Sequence, residues 1–216
     1  MRRSPVAARR SRRFRLAAAL LSAAGCLAVV AAPAQAGLLV ADAPSCDTLA
    51  QSQVFLPWAD LANYELAPGG TLENGSAGWS LSGGAAVTSG NESYGVNSAS
   101  DSSSLALPDP STATTGETCV GIDHPTLRFF ARQTAGSPTA ILRVDVEWED
   151  GFGVDHWTTM GTNAAGSSWA PSPVMLIAPS LLPLLPGQMT PVAFRFVPQG
   201  GDFQVDDVYV DPYGKG

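Results

Sequence analysis

Apolar and polar residues alternate in short runs through most of the chain, and Gly, Pro, Ser and Asn stand between the runs. The clearest run is 139–149, where one face is apolar and the other is charged. A period of two with one apolar face is typical of an antiparallel β-strand that buries one side and leaves the other in water. Helical periodicity is almost absent beyond residue 36, so the pattern predicts an all-β fold.

Similar alternation predicts further strands in the rest of the chain. The runs are 79–81, 85–88, 104–107, 118–122, 127–132, 154–160, 174–177 and 192–197. Many short strands separated by turn residues favour an antiparallel two-sheet β-sandwich. Two regions are irregular: 89–101 is a polar loop of the kind on which binding residues often lie, and 171–187 is an apolar stretch interrupted by five prolines.

The first 36 residues have the pattern of a signal peptide. Seven arginines precede residue 16, residues 16–32 are apolar, and the small residues at 34–36 resemble a cleavage site. We therefore expect a signal-peptide helix at 1–36, a mature chain that is secreted or associated with the cell envelope, and no transmembrane segment after cleavage. The arginine pair at 12–13 leaves two export routes open, general secretion and the twin-arginine route.

The remaining length suits one domain. We assign 37–62 to an N-terminal lead-in segment and 63–213 to the β-sandwich domain. Cleavage removes Cys26 and leaves Cys46 and Cys119. An even pair of cysteines in an oxidising compartment most often forms a disulfide, which would tie the lead-in segment to the sandwich.

Loss of the leader makes the chain strongly acidic. The sequence has 12 Lys and Arg and 19 Asp and Glu, and the first 36 residues contain seven of the cations and none of the acids. Five cations against 19 acids leave a net charge of −14. Nucleic acids and anionic membranes are bound by clustered cations, so we expect neither as a partner. Cations, sugars and neutral surfaces remain as possible classes of partner.

Residues suited to catalysis are sparse. His124 and His156 are the only histidines, and neither lies in a metal-binding spacing. The sequence has no Gly-x-Ser-x-Gly motif to supply a hydrolase nucleophile. Glu147 and Glu149 share the wet face of one strand, whereas the two carboxylates of a glycosidase face each other across a cleft. We predict that the chain is not an enzyme.

The strand near the end of the chain carries two adjacent aspartates, Asp206 and Asp207, within QVDDVYVDP at 204–212. Neighbouring residues of a strand point to opposite faces, so one of these carboxylates should face the packed side. Two explanations stay open. Either a bound cation neutralises the pair, or one aspartate lies in water while the other accepts backbone hydrogen bonds at the strand edge.

Two motifs resemble the two ends of a jelly-roll carbohydrate-binding module of the galactose-binding-like type. The segment TLENGSAGW at 71–79, followed by SGGAAV at 82–87, is similar to the first strand of these modules, and VDDVYV at 205–210 is similar to the last. The whole chain also resembles a group of exported actinobacterial proteins of unknown function. The resemblance implies a jelly-roll sandwich and a non-catalytic binding role.

The resemblance also implies a structural Ca²⁺ between the first and last strands, held by Glu73 and by Asp206 or Asp207. Calcium takes 6–8 oxygen ligands, so backbone carbonyls near 74–75 would complete the shell. One departure from the family pattern is Leu72, where the modules usually have an aromatic residue.

Carbohydrate is the leading ligand class, because aromatic rings stack on the apolar faces of sugar rings while polar groups bind the hydroxyls. The ligand-binding residues we predict are Trp157, His156, Tyr94, Asn91 and Trp169. A groove lined by Trp157 and Tyr94 would favour a polysaccharide or cell-wall glycan. The alternative is a structural or protein-interaction module of the envelope that uses the apolar segment 181–185.

Overall fold

The structure, a computed structural model, describes Cys46 and residues 49–122, 125–177 and 188–212, all within the compact unit Gln35–Gly216. The predicted signal peptide, His124 and the apolar segment 181–185 lie outside the described residues. Export and the role of the apolar segment therefore stay predictions.

The described residues form eleven strands and one short 3-10 helix, Leu56–Trp58. The strands are β1 (Glu65–Leu66), β2 (Trp79–Ser82), β3 (Ala86–Ser89), β4 (Ser103–Leu107), β5 (Thr112–Thr115), β6 (Thr118–Val120), β7 (Thr126–Glu149), β8 (Asp155–Asn163), β9 (Ala170–Pro171), β10 (Met175–Leu176) and β11 (Thr190–Asp211). They pair antiparallel, which confirms the predicted all-β class. Within this part of the chain, no helix is long and apolar enough to cross a membrane.

The long strands β7 and β11 form the centre of the fold and pair along almost their whole length. The first half of the sandwich contains residues 126–133 of β7 and 203–211 of β11, with β1, β3, β4, β9 and β10 beside them. The second half contains residues 140–149 and 190–199, with β2, β5, β6 and β8.

The paired strands continue from one half to the other through a bend at Gly136, Gly200 and Gly201. A Cβ atom on Gly136 would lie 2.2 Å from the Cα of Gly201, and Gly136 has a φ of 103°. Only glycine combines this conformation with such a close approach. The sequence predicted separate strands at 127–132 and 139–149, and this is wrong because the glycines let one strand pass through the bend.

The two halves pack their apolar faces together in the main core. The ring centroid of Phe129 in the first half lies 5.1 Å from that of Phe196 in the second half, edge to face. Other fully buried core side chains are Leu105, Leu107, Leu127, Leu142, Phe194 and Phe203. Each large apolar side chain stabilises the fold by about 1.5–3 kcal/mol when fully buried. This face-to-face packing confirms the predicted sandwich.

The outer face of the first half is covered by the N-terminal segment, residues 49–64. The ring of Phe55 is fully buried and stacks on Phe130, with 5.5 Å between the ring centroids. The guanidinium of Arg128 lies 4.3 Å from the centroid of the same ring and donates a hydrogen bond of 2.8 Å to Asp60. The segment is therefore an integral layer of the fold.

The predicted disulfide between Cys46 and Cys119 is confirmed. It joins residues 73 apart in sequence, and their Cα atoms are 5.9 Å apart. Because Cys119 lies in β6, which pairs with β11, the bond fastens the start of the N-terminal segment to the second half.

Candidate functional site

A β-bulge places both acidic residues of the last strand in the interior. The pairing of β11 with β7 changes register between Asp206 and Tyr209, and Asp207 has a φ of 47°. Both Asp206 and Asp207 are 0% exposed. Of the two explanations left open by the sequence, the one that places an aspartate in water is therefore wrong, because the bulge interrupts the alternation that would send them to opposite faces.

Asp206 is held by backbone hydrogen bonds. Its Oδ2 accepts from the N–H of Glu92 at 2.8 Å, and its Oδ1 accepts from the N–H of Asp207 at 2.9 Å. Burial raises the pKa of Asp206 to about 8, although these N–H groups favour the charged form. Asp206 thus ties the loop 91–101 to the bulge.

Asp207 differs, because neither of its buried carboxylate oxygens accepts a hydrogen bond within the described part of the chain. Burial raises the pKa of Asp207 to about 7, and the charge of Glu92 adds to the effect. Asp101 and Glu73 act in the same direction, against the backbone N–H of Asn97. The backbone N–H of Asn97 acts on this carboxylate without forming a hydrogen bond of normal geometry. A buried carboxylate that is so weakly compensated favours a proton or a cation to neutralise it.

Glu73 lies at the surface, next to the loop. Its Oε1 accepts from the backbone N–H groups of Ser102 at 2.8 Å and Ser103 at 2.6 Å. Slight burial would raise the pKa of Glu73, but these hydrogen bonds lower it. Among the described residues no three His, Cys, Asp or Glu side chains form a group able to hold a metal ion. A cation here would therefore need backbone carbonyls to complete its shell.

A buried glutamate shapes the loop 91–101 from inside. The side chain of Glu92 is 3% exposed. Its Oε1 accepts from the backbone N–H of Val96 at 2.7 Å, and its Oε2 accepts from the backbone N–H of Tyr94. The carboxylate therefore fixes the backbone from which Tyr94 and Val96 project.

An open pocket lies between the N-terminal segment and this loop. It has a volume of about 600 Å³, within the range of about 300–1,000 Å³ found for small-ligand sites. Its lining residues are Gln53, Val54, Leu56, Pro57, Trp58, Tyr94 and Val96. The rings of Trp58 and Tyr94 meet edge to face with centroids 5.0 Å apart, and Tyr94 is 48% exposed. The pocket thus offers aromatic surface to a ligand.

Three of the five predicted ligand-binding residues lie on this side of the fold. The hydroxyl of Tyr94 donates to the carbonyl of Trp169 at 2.9 Å. Trp169 itself is 8% exposed, with the guanidinium of Arg132 5.1 Å from its ring centroid, so its ring offers little surface to a ligand. The side-chain amide of Asn91 donates to the carbonyl of Glu92 at 3.2 Å. Of the three, Tyr94 alone lines the pocket.

Trp157 lies elsewhere, on the outer face of the second half. It stands opposite Glu147 in the pairing of β8 with β7 and is 38% exposed. The guanidinium of Arg195 lies 3.8 Å from its ring centroid. The ring of Tyr94 instead packs near Phe130, on the outer face of the first half. The structure therefore does not bring Trp157 and Tyr94 together in one groove.

His156, the remaining predicted ligand residue, has its ring engaged within β8 and its neighbours. The ring stacks on Trp148 with centroids 4.6 Å apart, and its Nε2 lies 2.8 Å from a carboxylate oxygen of Asp150. It alternates with the outward-facing Trp157, so the two do not form a common platform.

The contribution of residues 53–58 to the pocket was not predicted from the sequence. The available signal was the run VFLPW at 54–58, which contains large apolar side chains in a segment without a strand pattern. Phe55 is buried against the sandwich, whereas its four neighbours in the run keep exposed surface and line the pocket.

No protein-family model and no curated protein matches the chain. Among solved structures, it is similar to the C-terminal family 22 carbohydrate-binding module of Clostridium thermocellum Xyn10B, with 16% identity, a TM-score of 0.46, and 68% of this chain and 92% of that chain covered. It is also similar to the CBM22-1 xylan-binding domain of Paenibacillus barcinonensis Xyn10C, with 14% identity, a TM-score of 0.46, and 79% and 100% covered. A third similar structure is the α-L-arabinofuranosidase MgGH51, with 15% identity, a TM-score of 0.44, and 70% and 27% covered. With TM-scores below 0.5, these likenesses assign no role to this chain. The likeness to exported actinobacterial proteins stays a prediction.

Proposed function

We propose that the chain is an exported, non-catalytic domain that binds a polysaccharide or cell-wall glycan in the pocket between residues 53–58 and the loop 91–101. The observation that carries this proposal is a pocket of about 600 Å³ with Trp58 and Tyr94 in its wall. Aromatic rings stack on the apolar faces of sugar rings, so such a wall suits a carbohydrate. The mature net charge of −14 favours a neutral glycan over an anionic one.

The rigid placement of Tyr94 supports this assignment. Its backbone N–H is bound by Glu92, its hydroxyl donates to the carbonyl of Trp169, and its ring lies 5.5 Å from that of Phe130. A ring that is already fixed loses little conformational entropy when a ligand binds, which increases affinity.

The lining of the glycan pocket supports a non-catalytic role there, whereas the carboxylates of Glu117, Glu147, Glu149 and Asp155 line a separate, smaller cavity. His156 is held by Asp150 and by stacking on Trp148. Among the described residues, neither His156 nor any carboxylate lines the pocket that contains Tyr94. The alternative of an interaction module that uses 181–185 stays a prediction, since that segment lies outside the described residues.

We also propose that a Ca²⁺ ion binds beside the bulge with Asp207 as its principal side-chain ligand. The fit rests on the two buried oxygens of Asp207, which accept no hydrogen bond of normal geometry from the described residues and are compensated only by the nearby backbone N–H of Asn97. Calcium prefers carboxylate oxygens combined with backbone carbonyls. Glu73 and Asp206 are secondary ligands in this proposal, because their carboxylates already accept backbone N–H groups. The ion would supply the positive charge that neutralises Asp207.

Isothermal titration of the mature chain with soluble xylan, mixed-linkage glucan and cell-wall glycan fragments tests the glycan site. Tyr94→Ala and Trp58→Ala should each weaken binding at least about tenfold, because each loses stacking area worth about 1.4 kcal/mol or more. Trp157→Ala is the matched control and should leave the affinity unchanged. Loss of binding in Trp157→Ala with retention in Tyr94→Ala, or no binding to any glycan, would contradict the proposal.

Thermal unfolding with CaCl₂ or with a chelator tests the cation site. A ligand that binds only the folded state raises stability by about 2.7 kcal/mol at a hundredfold excess over Kd. This increase should vanish in Asp207→Asn and persist in Asp155→Asn, which removes an exposed carboxylate. An equal response of wild type and Asp207→Asn would show that the ion binds elsewhere.

A further inference from the structure

Glu92 connects the pocket to the bulge. Its carboxylate accepts the backbone N–H groups of Tyr94 and Val96, the two loop residues of the pocket wall. Its own backbone N–H donates to Asp206 at 2.8 Å. Glu92 is 3% exposed and is not among the pocket-lining residues. It therefore acts on the pocket only through the backbone positions of Tyr94 and Val96.

The same loop meets the bulge at a second place. The backbone N–H of Asn97, which follows Val96, stabilises the charged form of the Asp207 carboxylate. The side-chain amide of Asn97 donates to Asp101 at 2.8 Å. The negative charges of Glu92 and Asp101 both act on Asp207. The charge of Asp207 therefore interacts with Glu92, which precedes Tyr94 and Val96 in the loop, and with Asn97 and Asp101, which follow them.

We propose that Glu92 is a positioning residue that couples cation binding at Asp207 to the glycan pocket, so that the pocket binds more tightly when the cation is present. This inference rests on both parts of the proposed function. Without the cation, an ionised Asp207 repels the carboxylate of Glu92, and a protonated Asp207 does not attract it. A divalent ion reverses the sign of this interaction and draws the loop toward the bulge.

Fluorine NMR of the chain labelled with 5-fluorotryptophan tests the coupling without any glycan. The chain contains five tryptophans, and the resonance of Trp58 is assigned by its loss in Trp58→Phe. Calcium should shift the resonance of Trp58, which contacts Tyr94, and leave that of Trp157 in place. In Glu92→Gln, calorimetry should still detect calcium binding, but the Trp58 shift should be lost, because the amide offers one acceptor oxygen in place of two.

A second variant covers the case in which Glu92→Gln fails to fold. Asp206→Asn leaves Glu92 intact and removes one of the two acceptors that hold Asp207 and Glu92. It should shift the Trp58 resonance in the absence of calcium and reduce the further change that calcium causes. A Trp58 resonance identical to that of the wild type would contradict the proposed connection.

Titration with a glycan measures the coupling as the ratio of the glycan Kd without calcium to the glycan Kd with calcium. Coupling of this kind is reciprocal and typically amounts to a factor of about 5–150. Calcium should lower the glycan Kd of the wild type about fivefold or more, the glycan should lower the calcium Kd by the same factor, and both effects should vanish in Glu92→Gln.

The possible failures are distinguishable. If calcium binds to the wild type without shifting the Trp58 resonance, the coupling alone is contradicted. The same holds if calcium causes the full wild-type shift of this resonance in Glu92→Gln. If calorimetry detects no calcium binding, both the coupling and the cation site are contradicted. A normal Trp58 shift without binding of any glycan supports the coupling and overturns the glycan assignment.

Discussion

Asp145 and Asp207 show at the scale of single residues two ways in which this fold treats a buried carboxylate. Asp145 is 2% exposed and accepts hydrogen bonds from Arg195 at 2.9 Å, Arg143 at 3.1 Å and Thr159 at 2.8 Å. Asp207 accepts none from the described residues. A buried charge is tolerated when it is paired and hydrogen-bonded. This contrast is why we propose a cation beside Asp207 and none beside Asp145.

Replacement of Asp145 by Asn should lower the free energy of unfolding by about 1–3 kcal/mol at pH 7, because the guanidinium groups lose a charged acceptor. Burial alone would raise the pKa of Asp145, but the hydrogen bonds from Arg195, Thr159 and Arg143 lower it. The contribution of Asp145 to the free energy of unfolding is therefore fully present above a pH of about 4, the pKa of an aspartate in the unfolded chain. It is lost as the pH falls through the lower pKa that Asp145 has in the folded state. Urea unfolding between pH 2 and 7 should show the difference between wild type and variant closing at low pH.

The control for this prediction is Asp155→Asn, which makes the same change in net charge at an exposed position. It should change the unfolding free energy at pH 7 by less than about 0.5 kcal/mol. A difference between wild type and Asp145→Asn that stays constant down to pH 2 would show that packing, not the charge of Asp145, causes the destabilisation.

At the scale of the elements, alternation predicted those strands that bury one face and leave the other in water. It located β8, with exposed Trp157 and Thr159 alternating with less exposed neighbours. It missed β5, Thr112–Thr115, because the sequence TATT has little contrast between its two faces. It also divided β7 and β11 at their glycines, since pairing through a bend depends on the partner strand and not on local pattern.

The candidate site was predictable only where a local signal existed. Tyr94 stood out as an aromatic residue in a polar loop, and the Asp206–Asp207 pair stood out against its apolar neighbours. The bulge that buries both aspartates, and the contact of residues 53–58 with the loop, join positions far apart in the chain. Such contacts have no local signature, so the sequence could not indicate the pocket.

Gly136→Ala tests how much the bend in β7 and β11 contributes to stability. The added Cβ would lie 2.2 Å from the Cα of Gly201 and 2.6 Å from the carbonyl oxygen of Gly200, at a φ of 103°. We expect a loss of about 2 kcal/mol or more in unfolding free energy, from strain and the displaced partner strand. Gly166→Ala is the matched control, because no atom lies within 4 Å of its added Cβ. Equal unfolding midpoints for the two variants would contradict the importance of the bend.

At the scale of the whole molecule, the two halves of the sandwich act as a scaffold, and the proposed glycan pocket lies on its periphery. The pocket is built from the N-terminal segment and a loop, both attached to the outer face of the first half. Rigid sheets with functional residues on their connecting segments are a common arrangement in β-sandwiches. The position of the pocket therefore depends on how firmly the N-terminal segment is fastened.

The disulfide Cys46–Cys119 fastens that segment. Its removal separates the contribution of the covalent bond from that of the non-covalent packing of the segment on the sandwich. In the chain-entropy model, a bond that closes a loop of this length stabilises the folded state by about 4 kcal/mol. The double variant Cys46→Ala and Cys119→Ala should lose about this amount in urea unfolding. Its glycan Kd should stay within about threefold of the wild-type value, because Phe55 and the Arg128–Asp60 pair still hold the segment in the folded state.

Chemical reduction of the wild type is the parallel measurement and should give the same unfolding midpoint as the double variant. A large loss of glycan affinity in a variant that remains folded would show that the packing of Phe55 alone does not position the segment. The disulfide would then be part of the binding site's architecture and not only a source of stability, and glycan binding would depend on the redox state of the surroundings.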